Sequence, residues 1–190
     1  GFRVSITPNH GLGGVYYYSN SGVGLRDAAY VHAHGHQPFY GERISFTLLA
    51  SQDCSFILRY VDAVGNVLQI CPNRYAPGLN RLEANVPTVI PPSDMAFEFA
   101  ASGPPGIETV RLIVTPDAGF IDVDRDVEIS LDDVVAEELQ MRTDTGELRL
   151  QSPTTPQHAA SYNTAIFDGN VTGNAIMVEA FVRILPLPKN

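Results

Sequence analysis

Lysine is almost missing from this chain. Arginine supplies eleven of the twelve basic residues, and Lys189, next to the last residue, is the single lysine. Schiff-base chemistry and a phosphate-binding Walker lysine are thereby excluded, since both need an internal amine. Tryptophan is absent, and cysteine occurs only twice, as Cys54 and Cys71. Basic charge is scarce: the formal net charge is −9, with no basic stripe to neutralise phosphates. That argues against nucleic acid and against an anionic membrane surface as partners. No run of 18 apolar residues exists; the best stretch, Ala175 to Leu187, is broken by Glu179, Arg183 and Pro186. No membrane span is therefore expected. Gly-x-Ser-x-Gly, His-Glu-x-x-His and Cys-x-x-Cys are all missing, and the glycine-rich Gly11–Gly14 and Gly22–Gly24 complete no dinucleotide fingerprint. The chain begins at Gly1 without an initiator methionine, which fits either a removed leader or a trimmed chain.

What remains is a globular composition of 190 residues, 44% hydrophobic and 17% charged, long enough to bury a core without a staple. Glycine (16) and proline (14) are scattered, as turns between short strands require. Ile44–Leu49 alternates apolar and polar, the signature of a half-buried strand. Phe56–Val61 and Val67–Cys71 flank Asp62–Asn66, where Gly65 can adopt positive φ, so they read as antiparallel neighbours. Further strands are expected at 4–7, 15–18, 29–33, 88–90, 96–100, 109–115, 147–150 and 176–185. One helix is expected at about 130–142, with Ser130 as its cap and Leu131, Val134, Val135 and Leu139 on one face. Many strands with one short helix give an all-β, antiparallel β-sandwich. Its organisation reads as N-terminal strands or an arm over 1–39, a sandwich over 40–150, and a polar, Pro-containing linker plus a C-terminal strand or hairpin over 151–190.

Several motifs, in order, carry a family resemblance. Tyr40-Gly41-Glu42 precedes the first sandwich strand, Asp53-Cys54-Ser55-Phe56 enters the second, and Asp62-Ala63-Val64-Gly65 turns the hairpin. Cys71-Pro72-Asn73, Asn80-Arg81-Leu82, Ile90-Pro91 and Gly103-Pro104-Pro105-Gly106 follow, then Glu108 and Val110. Over about residues 40–115 the chain thus resembles the bacterial domain of unknown function 4384. Cys71 stands where that family has a bulky apolar residue, and Asn85-Val86 where a glycine is common. The resemblance implies a small β-sandwich, found in exported proteins or beside kinase-like and caspase-like domains, and it implies no catalytic residues. Pro72, Asn73 and the Gly103–Gly106 turn read as scaffold, strand stops and loop holders.

Four features bear on chemistry. His32, His34 and His36 alternate, so on a strand they share one face and can grip Zn²⁺ with His10 or His158 as a further ligand; otherwise they line a solvated edge. Asp122, Asp124, Asp126 and Asp133 occupy positions 1, 3, 5 and 12 of a calcium-loop spacing, although Val127 stands where that loop turns on glycine. The alternative there is the wet face of a strand. Cys54 and Cys71 lie at the same end of the expected hairpin and form a disulfide candidate in an exported chain, or serve as small core residues. Tyr16-Tyr17-Tyr18 with Tyr30, Phe39 and Tyr40 reads as packing or as a contact face. An apolar strand at each terminus can complete its own sheet or a neighbour's. The expected function is a non-catalytic, exported structural or interaction module that uses protein partners or self-association. It would need no cofactor; a Ca²⁺- or Zn²⁺-dependent binding module and a hydrolase with dispersed carboxylates are the alternatives.

Overall fold

A computed structural model describes residues 1–9, 14–19, 41–72, 78–92, 99–116 and 164–188 in full, and the backbone alone of short strands at 121–122, 128–130, 142–143, 146–147, 150–151 and 157–159. The strands are β1 (Phe2–Asn9), β2 (Val15–Tyr18), β3 (Ser45–Ala50), β4 (Cys54–Val61), β5 (Asn66–Cys71), β6 (Arg81–Leu82), β7 (Thr88–Ile90) and β8 (Gly106–Thr115). Then come β9 (Ile121–Asp122), β10 (Glu128–Ser130), β11 (Arg142–Thr143), β12 (Gly146–Glu147), β13 (Leu150–Gln151), β14 (Gln157–Ala159), β15 (Thr164–Gly169) and β16 (Ala175–Pro186). No helix occurs among the described residues. The expected helix keeps neither boundary, because Ser130 ends β10 and Arg142 begins β11, and 131–141 lies outside the described residues.

Two sheets pack as a sandwich. One has the order β14-β15-β1-β3-β7, and the other β10-β5-β4-β8-β16-β13, with β6 pairing β4 and β2 pairing β16. A small third sheet, β12-β11-β9, lies with β9 against β4. Alternation decides which side chains face inward. On β1, Phe2, Val4 and Ile6 are buried; on β3, Phe46, Leu48 and Ala50; on β16, Ile176, Val178, Ala180, Val182 and Ile184. These meet Phe56, Leu58, Val110, Leu112 and Val114 in one core. Each fully buried Leu, Ile or Phe side chain contributes roughly 1.5–3 kcal/mol.

The β4–β5 hairpin forms as its sequence requires. Gly65 has φ +92°, and the Asp62 carboxylate accepts hydrogen bonds from the backbone N–H of Val64 (3.0 Å) and Asn66 (2.8 Å). A bulge between Leu58 and Arg59 inserts Ile70, so Ile70 and Cys71 both reach the core. Asn85 takes φ +62°, in the left-handed region that asparagine enters more readily than most residues. Tyr16 is fully buried and donates its hydroxyl to the Asn9 carbonyl, so this tyrosine serves packing.

Candidate functional site

Gly41, Glu42, the Asp62–Gly65 turn, Gly103, Gly106 and Glu108 gather at one end of the sandwich, around a buried carboxylate, while Asp53–Phe56 and Asn80–Leu82 meet at the far end of β4. Glu108 lies near the start of β8 on the core face, diagonal to Tyr60, whose cross-strand partner is Val110. Its Oε1 accepts the Tyr60 hydroxyl, and its Oε2 accepts the Ala63 backbone N–H at 3.0 Å. Burial pushes the Glu108 carboxyl above its usual range; the two donors pull the other way, and the Asp62 charge adds to the rise. Burial, reinforced by Glu108, also raises the Tyr60 phenol, so it stays protonated as a donor. The Tyr60 ring meets Phe99 edge-on, with centroids 4.5 Å apart.

Glycines let the surrounding chain close in. A Cβ on Gly41 would lie 1.8 Å from the Ala101 carbonyl oxygen, where the chain is clasped by Ala101 N–H donating to Glu42 O at 2.8 Å. A Cβ on Gly103 would meet the Tyr18 ring at 2.9 Å, and one on Gly106 would meet Ala63 Cβ at 2.8 Å. The cluster ties the hairpin tip, the 101–106 segment and β2 into one rigid end. Its polar atoms are turned on one another, which suits anchoring.

A second polar constellation crosses the other face of the large sheet. The register sets Gln69, Arg59, Arg111 and Glu179 in one row over β5, β4, β8 and β16. Arg59 is fully buried and donates from Nε (3.3 Å) and Nη2 (3.2 Å) to Gln69 Oε1, while Gln69 Nε2 donates to the Pro72 carbonyl at 2.7 Å. Arg111 Nε bonds Glu179 Oε1 at 3.0 Å, partly open to solvent. Two guanidiniums directly opposite each other are an unfavourable cross-strand pair, which the Gln69 oxygen and the Glu179 carboxylate offset. No local pattern announced this row, because even the bonded neighbours in it lie 10 and 68 residues apart along the chain.

The residues singled out in the sequence fare differently. His10, His32, His34, His36, Asp124, Asp126 and Asp133 lie outside the described residues, and Asp122 and His158 are described in backbone only, within β9 and β14. Among the described residues no group of three or more His, Cys, Asp or Glu is placed to hold a metal. Cys54 and Cys71 are both buried free thiols. Cys71 faces Leu58, and Cys54 stands four residues further along β4, about 13 Å at ~3.3 Å per residue. A disulfide needs Cα atoms within ~7 Å, so this register keeps the two apart. Burial pushes Cys54 up to about 12 and raises Cys71 as well, which leaves both without the thiolate that reactivity needs.

Residues 39–118 match the family described as Domain of unknown function (DUF4384). No curated protein and no solved structure matches the chain. The DUF4384 segment contributes β3 to β8, including the hairpin and Glu108. Three of its X-Pro bonds, Cys71-Pro72, Ile90-Pro91 and Gly103-Pro104, are cis. Within the fold three strands of the segment are paired from outside it, β5 by the short β10 and β3 and β8 by longer strands. β1 pairs β3 over Val4–Asn9, and β16 pairs β8 over Ile176–Ile184. No helix among the described residues is long and apolar enough to cross a membrane.

Proposed function

We propose that this chain is a non-catalytic interaction module, exported and built for assembly by strand complementation. The observation that carries the reading is the division of labour between segments. The DUF4384 residues supply β3 and β8, and strands from both ends of the chain, β1 and β16, close the edges of those two strands. A β-sheet edge bonds any strand of matching register and pattern, whether it comes from the same chain or from another copy. β16 suits donation: it is twelve residues long, and its inward side chains alternate with more open ones. Head-to-tail exchange of such a strand gives filaments when the rotation does not close.

A covalent lock tests this. Ile107 and Arg183 face each other across β8 and β16. Arg183 turns its N–H to Gly14 on the opposite side, so the pair is not hydrogen-bonded and its Cα atoms are close. Ile107→Cys with Arg183→Cys, oxidised, ties β16 to its own β8. After refolding at high concentration, the unlocked chain is expected to give oligomers that persist on dilution in native mass spectrometry, and the locked chain only monomers. An unlocked chain that stays strictly monomeric after refolding defeats the proposal. Export is tested separately, by fractionation of the producing cells.

A further inference from the structure

We propose that Asn170 is an acceptor for N-linked glycosylation, taking an oligosaccharide from a lipid-pyrophosphate carrier through a membrane oligosaccharyltransferase. This rests on the export half of the reading above, since such donors face the non-cytoplasmic side, and it is independent of strand complementation. Asn170-Val171-Thr172 is an Asn-x-Thr sequon with no proline at its centre. None of the other nine asparagines has Ser or Thr two residues on. Asp168 stands two residues before Asn170. The bacterial transferase demands an acid there as well as the hydroxyl two residues after the asparagine. Acids fill 21 of 190 positions, so one falls at that place by chance in about one case in nine. The five-residue pattern Asp168-Gly169-Asn170-Val171-Thr172 is correspondingly more specific than the tripeptide.

The structure presents these residues as a transferase needs them. Residues 170–174 connect β15, which ends at Gly169 in the five-stranded sheet, to β16, which begins at Ala175 in the larger one. None of them belongs to a strand, so the acceptor can be drawn out without breaking a ladder. Exposure alternates along the site. Asp168, Asn170 and Thr172 are exposed, while Val171 is half-buried and packs on the core. Val171 thus roots the segment, and the acid, the amide and the hydroxyl stand outside. The register sets Ile176 opposite Val114 and Ile184 opposite Gly106, so the connector lies at the end of the sandwich away from the Glu108 cluster. A glycan there leaves that cluster and the β8–β16 pairing untouched. In the transfer, the Asn170 side-chain nitrogen displaces the pyrophosphate oxygen at C1 of the first sugar. The C–N bond forms, the C–O bond breaks, the lipid pyrophosphate leaves, and one amide proton passes to a base of the transferase. A planar amide nitrogen is a poor nucleophile, because resonance ties up its lone pair. The enzyme must therefore grip the groups on both sides to twist it, and Asp168 and Thr172 offer a charge and a hydroxyl for that grip.

The test uses the folded full chain, a purified bacterial oligosaccharyltransferase and its lipid-pyrophosphate oligosaccharide. Intact mass should rise by one oligosaccharide, and peptide mapping should place it on Asn170. Asn170→Gln and Thr172→Ala should each abolish the gain, Thr172→Ser should keep it, and Asn174→Gln should leave it unchanged. Asp168→Ala should abolish modification by the bacterial enzyme but not by a transferase that reads only the tripeptide. Asn170→Gln and Asp168→Ala should melt with the parent, since both residues are exposed. A chain left unmodified beside a control acceptor peptide that is modified, a glycan on another residue, or a site that reacts only after denaturation each overturns the proposal. Export is read separately. A chain modified by the purified enzyme yet confined to the cytosolic fraction of its producing cells would sink the export reading and leave Asn170 an acceptor.

Discussion

Removing the Glu108 carboxylate tests how the DUF4384 end is held together. Glu108→Leu keeps roughly the volume and deletes both acceptors. It strands the buried Tyr60 hydroxyl and the partly buried Ala63 N–H, whose acceptors are Oε1 and Oε2 of this one side chain. An orphaned buried donor costs about 1–3 kcal/mol, and the Ala63 amide sits at the low end, so the expected loss is about 2–4 kcal/mol. For a chain of this size that lowers Tm by about 4–16 °C. Glu108→Gln keeps one of the two acceptors: with its amide oxygen accepting from Ala63 and its NH₂ turned to the Tyr60 oxygen, the Tyr60 O–H is left without its acceptor, so the variant should cost about 1–3 kcal/mol at neutral pH. Tyr60→Phe in the Glu108→Leu background should cost less than the sum of the two, because one orphan is removed with its partner. The pH dependence has a definite sign. The folded carboxyl sits above its ordinary value of 4.5, chiefly through burial, so the unfolded chain ionises first as pH rises. The Glu108 contribution to stability is full below that ordinary value and declines as pH climbs through the folded one. Glu108→Gln lacks this decline, so its stability should gain on the parent between about pH 4 and neutrality. Urea unfolding at several pH values reads both effects. A constant offset between the Glu108→Gln variant and the parent across that window, or a Glu108→Leu variant as stable as the parent, refutes the reasoning.

The remaining predictions concern other parts of the molecule. Gly41→Ala places a methyl 1.8 Å from the Ala101 oxygen; with backbone on both sides and nothing flexible to yield, it should cost about 3 kcal/mol, seen as a lowered urea midpoint, and an unchanged midpoint would show that the two segments are not in contact. Both thiols should resist a thiol reagent in the folded chain and react once it is denatured, and reductant should leave Tm unchanged, since Cys54 and Cys71 are buried and unbonded. The interaction-module reading expects the same Tm in EDTA, millimolar Ca²⁺ and micromolar Zn²⁺. A rise with Zn²⁺ that His34→Ala abolishes, or one with Ca²⁺ that Asp124→Asn abolishes, would move the assignment to the metal-binding alternative.

Local pattern and long-range placement separate cleanly here. Alternation at Ile44–Leu49 and the Asp62–Gly65 turn carry their own structure, and β2 and β7 fall where 15–18 and 88–90 predict them. β4 is less legible, because all eight of its residues are buried, on both faces, and burial on both faces erases a period of two. β15 gives little signal in the sequence, because only Ala165 and Phe167 mark its inward face before the polar Asp168-Gly169. The glycines and Glu108 are visible as motif residues, but their purpose is not: Glu108 meets Tyr60 and Ala63 across 48 and 45 residues of chain, a meeting only the sheet register brings about.

That register also bears on where function resides. Gly41, Ala63, Gly103, Gly106 and Glu108 all lie within the DUF4384 match and are consumed in holding one end of the sandwich shut. A glycine that admits a carbonyl, or a carboxylate already accepting two hydrogen bonds, has little left for a ligand. On the proposed reading the motif residues specify a frame, and what a frame offers to other molecules is its faces and edges. On this chain the outward face of the smaller sheet comes chiefly from β1 and β15, and the edge of β8 is closed by β16, all outside the family match. Two chains with the same frame and different terminal strands should therefore share the Glu108 cluster and differ in what they bind.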